Sequence, residues 1–495
     1  MPGAPTPPES SSSPPASRAA GAPSPWTSRW RSQAAVLAPL LALHLALLAV
    51  FDLVHHLVLA LLLLGAAFLY LPTAARRLEA AGAGDETAGR GAPGRPDGAI
   101  LLGALLLRLC LLPLPLTLSD DVLRYLWDGK VAAAGRNPYA LPPQAAELAP
   151  LRDGNWQNLP HRDVPTVYPP LAIAAFSIAA RLPFPILAWK TLALGADLAA
   201  CALLLRLARR LRVPPGRAVW YAWNPLVTLE VAGMGHVDAI GVAASLAAVL
   251  LLLPREDAKS ARPAAGRVLG AAAFAAAGTL AKLIPLASFP LWSRRSGRPL
   301  LFLGAALGLL LAAFLPVFHA TGGPPPGLAT FGIRWEFNGP LFEPLWRLLD
   351  AIGLAPALAR RLDAYKRWSG EYYRWNWLYP YLYPQLLAKL LLAGGAVTAV
   401  ALSLRERDAA AGTGRLFGWL LLLSATVYPW YLLWVLPWAA LARHPAWLAL
   451  SGLLCLSYIP RALGVPLLPW VYLAIWVPFF VLLLATRRRR PWSIA

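Results

Sequence analysis

The 495-residue chain is 58% hydrophobic and only 14% charged, with a formal net charge of +21 at pH 7. A soluble domain carries about a quarter charged residues, so this balance excludes an ordinary water-soluble globule and points to lipid. The surplus arginines flank apolar runs and do not track one groove or helix face, which argues against a nucleic-acid partner and fits the positive-inside pattern of a membrane protein.

Residues 1–33, rich in Pro, Ser and Ala without apolar periodicity, are predicted to form a disordered cytoplasmic N-terminus. Residues 34–97 then supply two N-terminal transmembrane helices, the first read as an uncleaved signal anchor after Arg29 and Arg31. They end in a cytoplasmic connector, 74–97, that carries Arg76, Arg77, Arg90 and Arg95. Segment 98–116 crosses outward and leaves the polar stretch 117–167 outside. Segment 168–183 is short, and spanning and re-entrant readings both stay open. The basic connectors 209–217, 254–267 and 293–298 are all predicted to be cytoplasmic. Segments 218–253 and 268–292 must therefore each go out and return as helical hairpins. Their outer turns fall at Gly233-Met234-Gly235-His236 and near Lys282-Leu283-Ile284-Pro285, where Gly and Pro break helices.

Segment 299–318 crosses to a second outer stretch, 319–376, and segment 377–403 returns. A hairpin over 415–443 turns at Tyr428-Pro429-Trp430, and two last helices lead to the basic cytoplasmic tail 487–495. The fold class is thus an all-α polytopic membrane protein with roughly 13 to 15 membrane-embedded helices, several of them short or re-entrant, and two large outer loops. Broken helices are tolerated at membrane depth only where protein or an aqueous cavity satisfies their ends, so a cavity open to the outside is expected.

The densest motif is Ser119-Asp120-Asp121-Val122-Leu123-Arg124-Tyr125-Leu126-Trp127-Asp128-Gly129-Lys130. Ser119 suits a helix N-cap, and two acids in the first turn suit the helix dipole. Asp121, Arg124 or Tyr125, and Asp128 share one helical face. Adjacent carboxylates raise each other's pKa while a helix N-terminus lowers it, a balance in which one acid can serve as a base. Lys282 sits in an apolar hairpin with no acid within a helical turn, so an anion is expected beside it. Lys190 and Asp197 lie on one helical face and read as a buried polar network. His236 and Asp238 are too few to define a metal site, and Cys110, Cys201 and Cys455 lack metal or disulfide spacing. No metal or other cofactor is assigned; a role for a divalent metal is left open.

The run Ser119–Gly129, followed by Gly135-Arg136-Asn137-Pro138-Tyr139, resembles bacterial membrane mannosyltransferases of the GT-C superfamily, which use polyprenyl-phosphate sugars. Tyr168-Pro169-Pro170, Trp223-Asn224-Pro225-Leu226 with Glu230, Gly235-His236-Val237-Asp238, Lys282 with Pro285, Phe337-Asn338-Gly339 and Tyr428-Pro429-Trp430-Tyr431 extend the likeness over about 98–486, the expected catalytic membrane domain. Relatives often carry Tyr where this chain has Leu123. The resemblance implies inverting transfer of a sugar, with mannose the family's choice. The donor would be a polyprenyl-phosphate sugar, the acceptor a hydroxyl of a glycolipid or glycan, and the place the outer face of a bacterial cytoplasmic membrane. It also makes Asp121 the base, with Asp120 its neighbour. The leaving phosphate then needs cations: Lys282 first, then Arg124 and Arg334. Tyr125, Asp128, Tyr168, His236, Asp238, Asn338 and Tyr428 are expected to contact substrate.

No soluble segment is long enough for a nucleotide-binding βαβ domain, which favours a lipid-borne donor. A flippase or transporter of lipid-linked saccharides is the alternative. It shares the many helices, but the polar motifs here cluster toward one side and no inverted repeat is visible. Arginine placement makes a direct prediction about sidedness. Cysteines introduced at Asn155 and Gly323 should react with an impermeant thiol reagent on intact cells; protection of both until lysis would invert the map.

Overall fold

The computed structural model describes residues 25–83, 96–254, 263–487 and 492. The predicted disordered tail up to residue 24, the middle of the 74–97 connector, most of 254–267 and Arg488–Arg490 lie outside the described residues. The first helix begins at Pro25, inside the segment expected to lack structure.

Among the described residues the fold is helical throughout, apart from isolated bridges that join Phe337 and Asn338 to Thr426. Six helical stretches are long and apolar enough to cross a bilayer: Arg31–Val50, Leu57–Ala80, Pro185–Arg210, Pro299–Thr321, Pro384–Ser403 and Pro445–Leu463. Four shorter apolar helices join them, Pro170–Ala180, Asp238–Leu252, Ala265–Ala281 and Trp470–Thr486. Large apolar side chains such as Leu69 (82%) and Leu300 (85%) remain exposed along these helices. A soluble protein seldom presents so much apolar surface, whereas hydrocarbon requires it. The chain is an all-α polytopic membrane protein.

The expected hairpin breaks occur where Gly and Pro stand. Asn224 caps a single helical turn, Pro225–Thr228, its Oδ1 accepting from Leu226 N–H at 3.0 Å. A π-turn, Leu229–Gly233, follows, and the chain then turns through Gly235 at φ +75°. A Cβ at Gly235 would stand 2.8 Å from Val122. Asp238–Leu252 then packs on Ala265–Ala281 through small residues: a Cβ on Gly278 would already touch Ala244 at 3.3 Å. Small side chains allow this close approach where no hydrophobic effect drives helices together.

Basic residues of the connectors reach neighbouring connectors. Arg209 pairs with Asp97, and Arg210 donates to the Pro254 carbonyl. Arg443 lies 3.5 Å from Glu79, and Arg295 donates to the Arg407 carbonyl at 3.0 Å. The two stretches expected as large loops are themselves built of helices, Asp121–Ala133 in the first and Pro326–Arg334, Phe342–Ala351 and Leu354–Ser369 in the second.

Lys190 and Asp197 are both buried, but each has its own partners. Arg108 gives Nε to Asp197 at 2.5 Å and Nη1 to the carbonyls of Ala104 and Ala222 at 3.0 and 2.7 Å. Tyr221 donates to the other Asp197 oxygen at 2.6 Å. Lys190 Nζ instead donates to the carbonyls of Leu112 and Leu114 at 2.6 and 2.8 Å, where the helix Pro96–Leu111 has ended. The guanidinium thus ties three helical segments through its fork. Arg108→Lys keeps the charge but loses the fork, and should lower stability by about 2 kcal/mol, read as thermal unfolding in detergent.

Candidate active site

A cavity of about 760 Å³ opens between the two long connectors, the second and third broken hairpins and the Ser457–Arg461 stretch. Its walls come from Leu118–Asp121, the Pro160–Pro169 stretch, Lys282–Ile284, Trp335, Phe337, Tyr428–Trp434 and Tyr458–Arg461. Most of the lining is apolar or aromatic, so the few charged groups in it are conspicuous.

Asp121 starts the helix Asp121–Ala133, after Asp120 in the N-cap position. Neither acid caps the helix through its side chain; Ser119 Oγ, expected as the cap, accepts from Asp121 N–H at a long 3.4 Å. The two carboxylates differ in their partners. Asp120 lies 3.3 Å from Arg461. Asp121 has no cation that close: Tyr125 donates to its Oδ2 at 3.4 Å, and His236 Nδ1 stands 3.7 Å away. Burial, reinforced by the neighbouring Asp120 charge and opposed by Lys282, pushes the Asp121 carboxyl up to about 6. Its side chain still keeps 30% exposure, at the wall of the cavity.

Lys282 corrects an expectation. It ends the helix Ala265–Ala281 and gives its ammonium to both oxygens of Asp238, at 2.7 and 2.8 Å. The partner acid is 44 positions away in sequence, so scanning one helical turn could not find it. Trp434 Nε1 donates to the same carboxylate at 2.6 Å, and the ammonium stands 4.6 Å from the Tyr431 ring centre. Lys282 nevertheless lines the cavity.

Arg124 also lines the cavity, but its guanidinium is engaged: Nε with Asp128 at 2.8 Å, Nη1 with the His161 carbonyl at 2.8 Å and Nη2 with the Val164 carbonyl at 2.6 Å. Its visible work is to clamp the first connector onto its helix. Arg334 lies outside the cavity lining and pairs with exposed Asp163 at 3.1 Å.

Of the residues expected to contact substrate, Tyr168 and Tyr428 line the cavity. Tyr125, Asp128, His236, Asp238 and Asn338 are buried behind its wall. Asn338 adopts φ +54°, a left-handed conformation Asn tolerates, and its Oδ1 accepts from Trp476 at 2.8 Å. A Cβ on Gly339 would stand 2.8 Å from the Ser424 carbonyl, so the Phe-Asn-Gly motif fits a tight structural turn.

One pattern was invisible in the sequence. Phe337 stacks on Tyr428 at 4.7 Å, Tyr428 on Trp430 at 4.5 Å, and Trp430 on His236 at 3.8 Å. The four rings form a column from the second connector to the residue beside Asp121. Arg461 and Tyr458 were missed too, although a charged residue next to Pro460 within an apolar stretch is the kind of signal that marks a site. Among the described residues no group of three or more His, Cys, Asp or Glu is placed to hold a metal ion.

The Lys282–Asp238 pair generates a stability prediction. Lys282→Met leaves a buried carboxylate with only an indole partner, and should destabilise the protein by on the order of 3 kcal/mol. Adding Asp238→Asn should restore part of that loss, because no lone charge then remains. Thermal unfolding of the single and double variants checks both.

Residues 47–292 match a family described as alpha-(1->6)-mannopyranosyltransferase, N-terminal domain. No curated protein and no solved structure matched the chain.

Proposed function

The chain belongs, through residues 47–292, to the alpha-(1->6)-mannopyranosyltransferase family and is a membrane glycosyltransferase of the mannosyltransferase kind; from that premise we propose how and where it transfers its sugar. The donor is mannose on a polyprenyl phosphate, and the nucleophile is a 6-hydroxyl of a glycolipid or glycan acceptor. The reaction takes place at the outer face of a bacterial cytoplasmic membrane. The catalytic membrane domain is 98–486, carried by the two N-terminal helices and flanked by the cytoplasmic tails.

The observation that carries this reading is Asp121, a carboxylate at the wall of a largely apolar cavity with no cation bound to it among the described residues. A hydroxyl becomes a good nucleophile only as a base takes its proton, and Asp121 is the acid free to do so. Asp120 is occupied by Arg461. As the hydroxyl oxygen bonds to the anomeric carbon, the bond to phosphate breaks and its electron pair leaves with the phosphate, so no general acid is needed. Attack opposite the departing group inverts the anomeric centre. The cations at the cavity wall, Lys282 and Arg461 with Arg124 behind its own hydrogen bonds, would balance the phosphate charge. Apolar walls suit a lipid-borne donor, and the absence of the basic connectors 209–217 and 293–298 from the cavity lining fits an outward-facing cavity under the positive-inside rule.

Asp121→Asn should lower turnover by about 100-fold or more, the scale of a positioned base, with expression nearly unchanged. The base works ionised, so parent activity should fall as pH drops through about 6. Transfer of labelled mannose from a polyprenyl phosphate to candidate acceptors, with purified protein in detergent, measures both. Full activity in Asp121→Asn, or transfer to no acceptor from this donor class, would overturn the reading.

A further inference from the structure

Behind Asp121 lies a row of buried polar groups that the transfer step does not use. His236, wholly buried, has Nδ1 3.7 Å from Asp121 Oδ2 and Nε2 3.2 Å from Glu230 Oε2. Glu230 is wholly buried as well, and its other oxygen accepts from Tyr458 at 2.6 Å. Both imidazole nitrogens and Glu230 Oε2 lack an aligned hydrogen-bond partner. Three such atoms in line call for an explanation, because buried polar groups are almost always paired. The ring itself is held firmly: it stacks on Trp430 at 3.8 Å and 13°.

The geometry points to His236 as a positioning residue for Asp121, with Glu230 deciding which ring nitrogen carries the proton. A carboxyl buried without a cation beside it keeps its proton, and Glu230 can then donate O–H to Nε2. That leaves the imidazole proton on Nδ1, facing Asp121. A carboxyl movement of about 0.8 Å would bring Nδ1–H to hydrogen-bond length. The arrangement exchanges the parts of a hydrolase triad: here an imidazole orients a carboxylate base, and a second acid fixes the tautomer. The inference rests on Asp121 acting as the proton acceptor, but its test needs no sugar.

The test is the titration of Asp121 by infrared difference spectroscopy on purified protein, its carboxyl band assigned by loss in Asp121→Asn. His236→Phe keeps a ring on Trp430 but removes the donor. It should raise the Asp121 midpoint by about one unit, a tenfold change in its protonation equilibrium. His236→Asn places an amide near Nδ1 and should hold the midpoint near that of the parent. Glu230→Gln, whose amide still donates, should hold it too, whereas Glu230→Leu should raise it. Asp120, Asp238, Lys282 and Arg461 face this pair from neighbouring elements, as do Tyr125, Tyr168, Tyr428, Tyr431 and Tyr458. All of them are the same in every variant. An unmoved midpoint in His236→Phe, or equal movement in His236→Phe and His236→Asn, overturns the inference. Failure of mannose transfer alone would sink only the donor assignment.

Discussion

Asp238 holds three broken hairpins to one another. It begins the returning arm of the first, accepts both oxygens' worth of Lys282 from the second, and takes the Trp434 indole from the third. A helix that stops inside a membrane exposes amide and carbonyl groups that hydrocarbon cannot satisfy. The ends therefore have to be gathered where side chains can reach them. Lys190 on the Leu112 and Leu114 carbonyls, and Trp189 on the Gly235 carbonyl at 2.6 Å, meet the same demand nearby.

Within that frame, charge and aromatic surface have separate duties. The acids and cations lie on the connector side and at the helix ends, while the Phe337–Tyr428–Trp430–His236 column forms a stiff partition. Stacked rings resist displacement, so whatever occupies the cavity meets a wall of fixed position. The difference between Asp120 and Asp121 arises from this packing: the two are adjacent in sequence, yet one faces Arg461 and the other faces an imidazole.

The sequence showed the membrane class, the positions of the hairpin breaks and the gathering of Asp121, Tyr168, Lys282 and Tyr428, because Gly, Pro and Arg act locally and their effects can be counted along the chain. Long-range pairing could not be read that way. Lys282 seemed to lack a partner because Asp238 belongs to another helix, and Arg124 seemed available because its acceptors are backbone carbonyls of a loop without regular pattern. His236, Asp238 and Asn338 were expected to contact substrate but are buried, because side-chain burial depends on which neighbours cover them. Arg461 escaped attention because its partner lies 341 residues earlier.

The Arg461–Asp120 contact ties two distant parts of the chain together at the cavity wall. The stretch that matches the family ends at residue 292, so it supplies the acids and Lys282, while Trp335, Phe337, Tyr428–Trp434 and Tyr458–Arg461 come from beyond it. Asp120, Asp121, Arg124 and Lys282 thus come from the matched stretch, whereas Arg461 and most of the aromatic lining come from the later part of the polypeptide. Substitutions at the later part's aromatic positions would remodel the chamber's outline while leaving Asp121 and Lys282 in place.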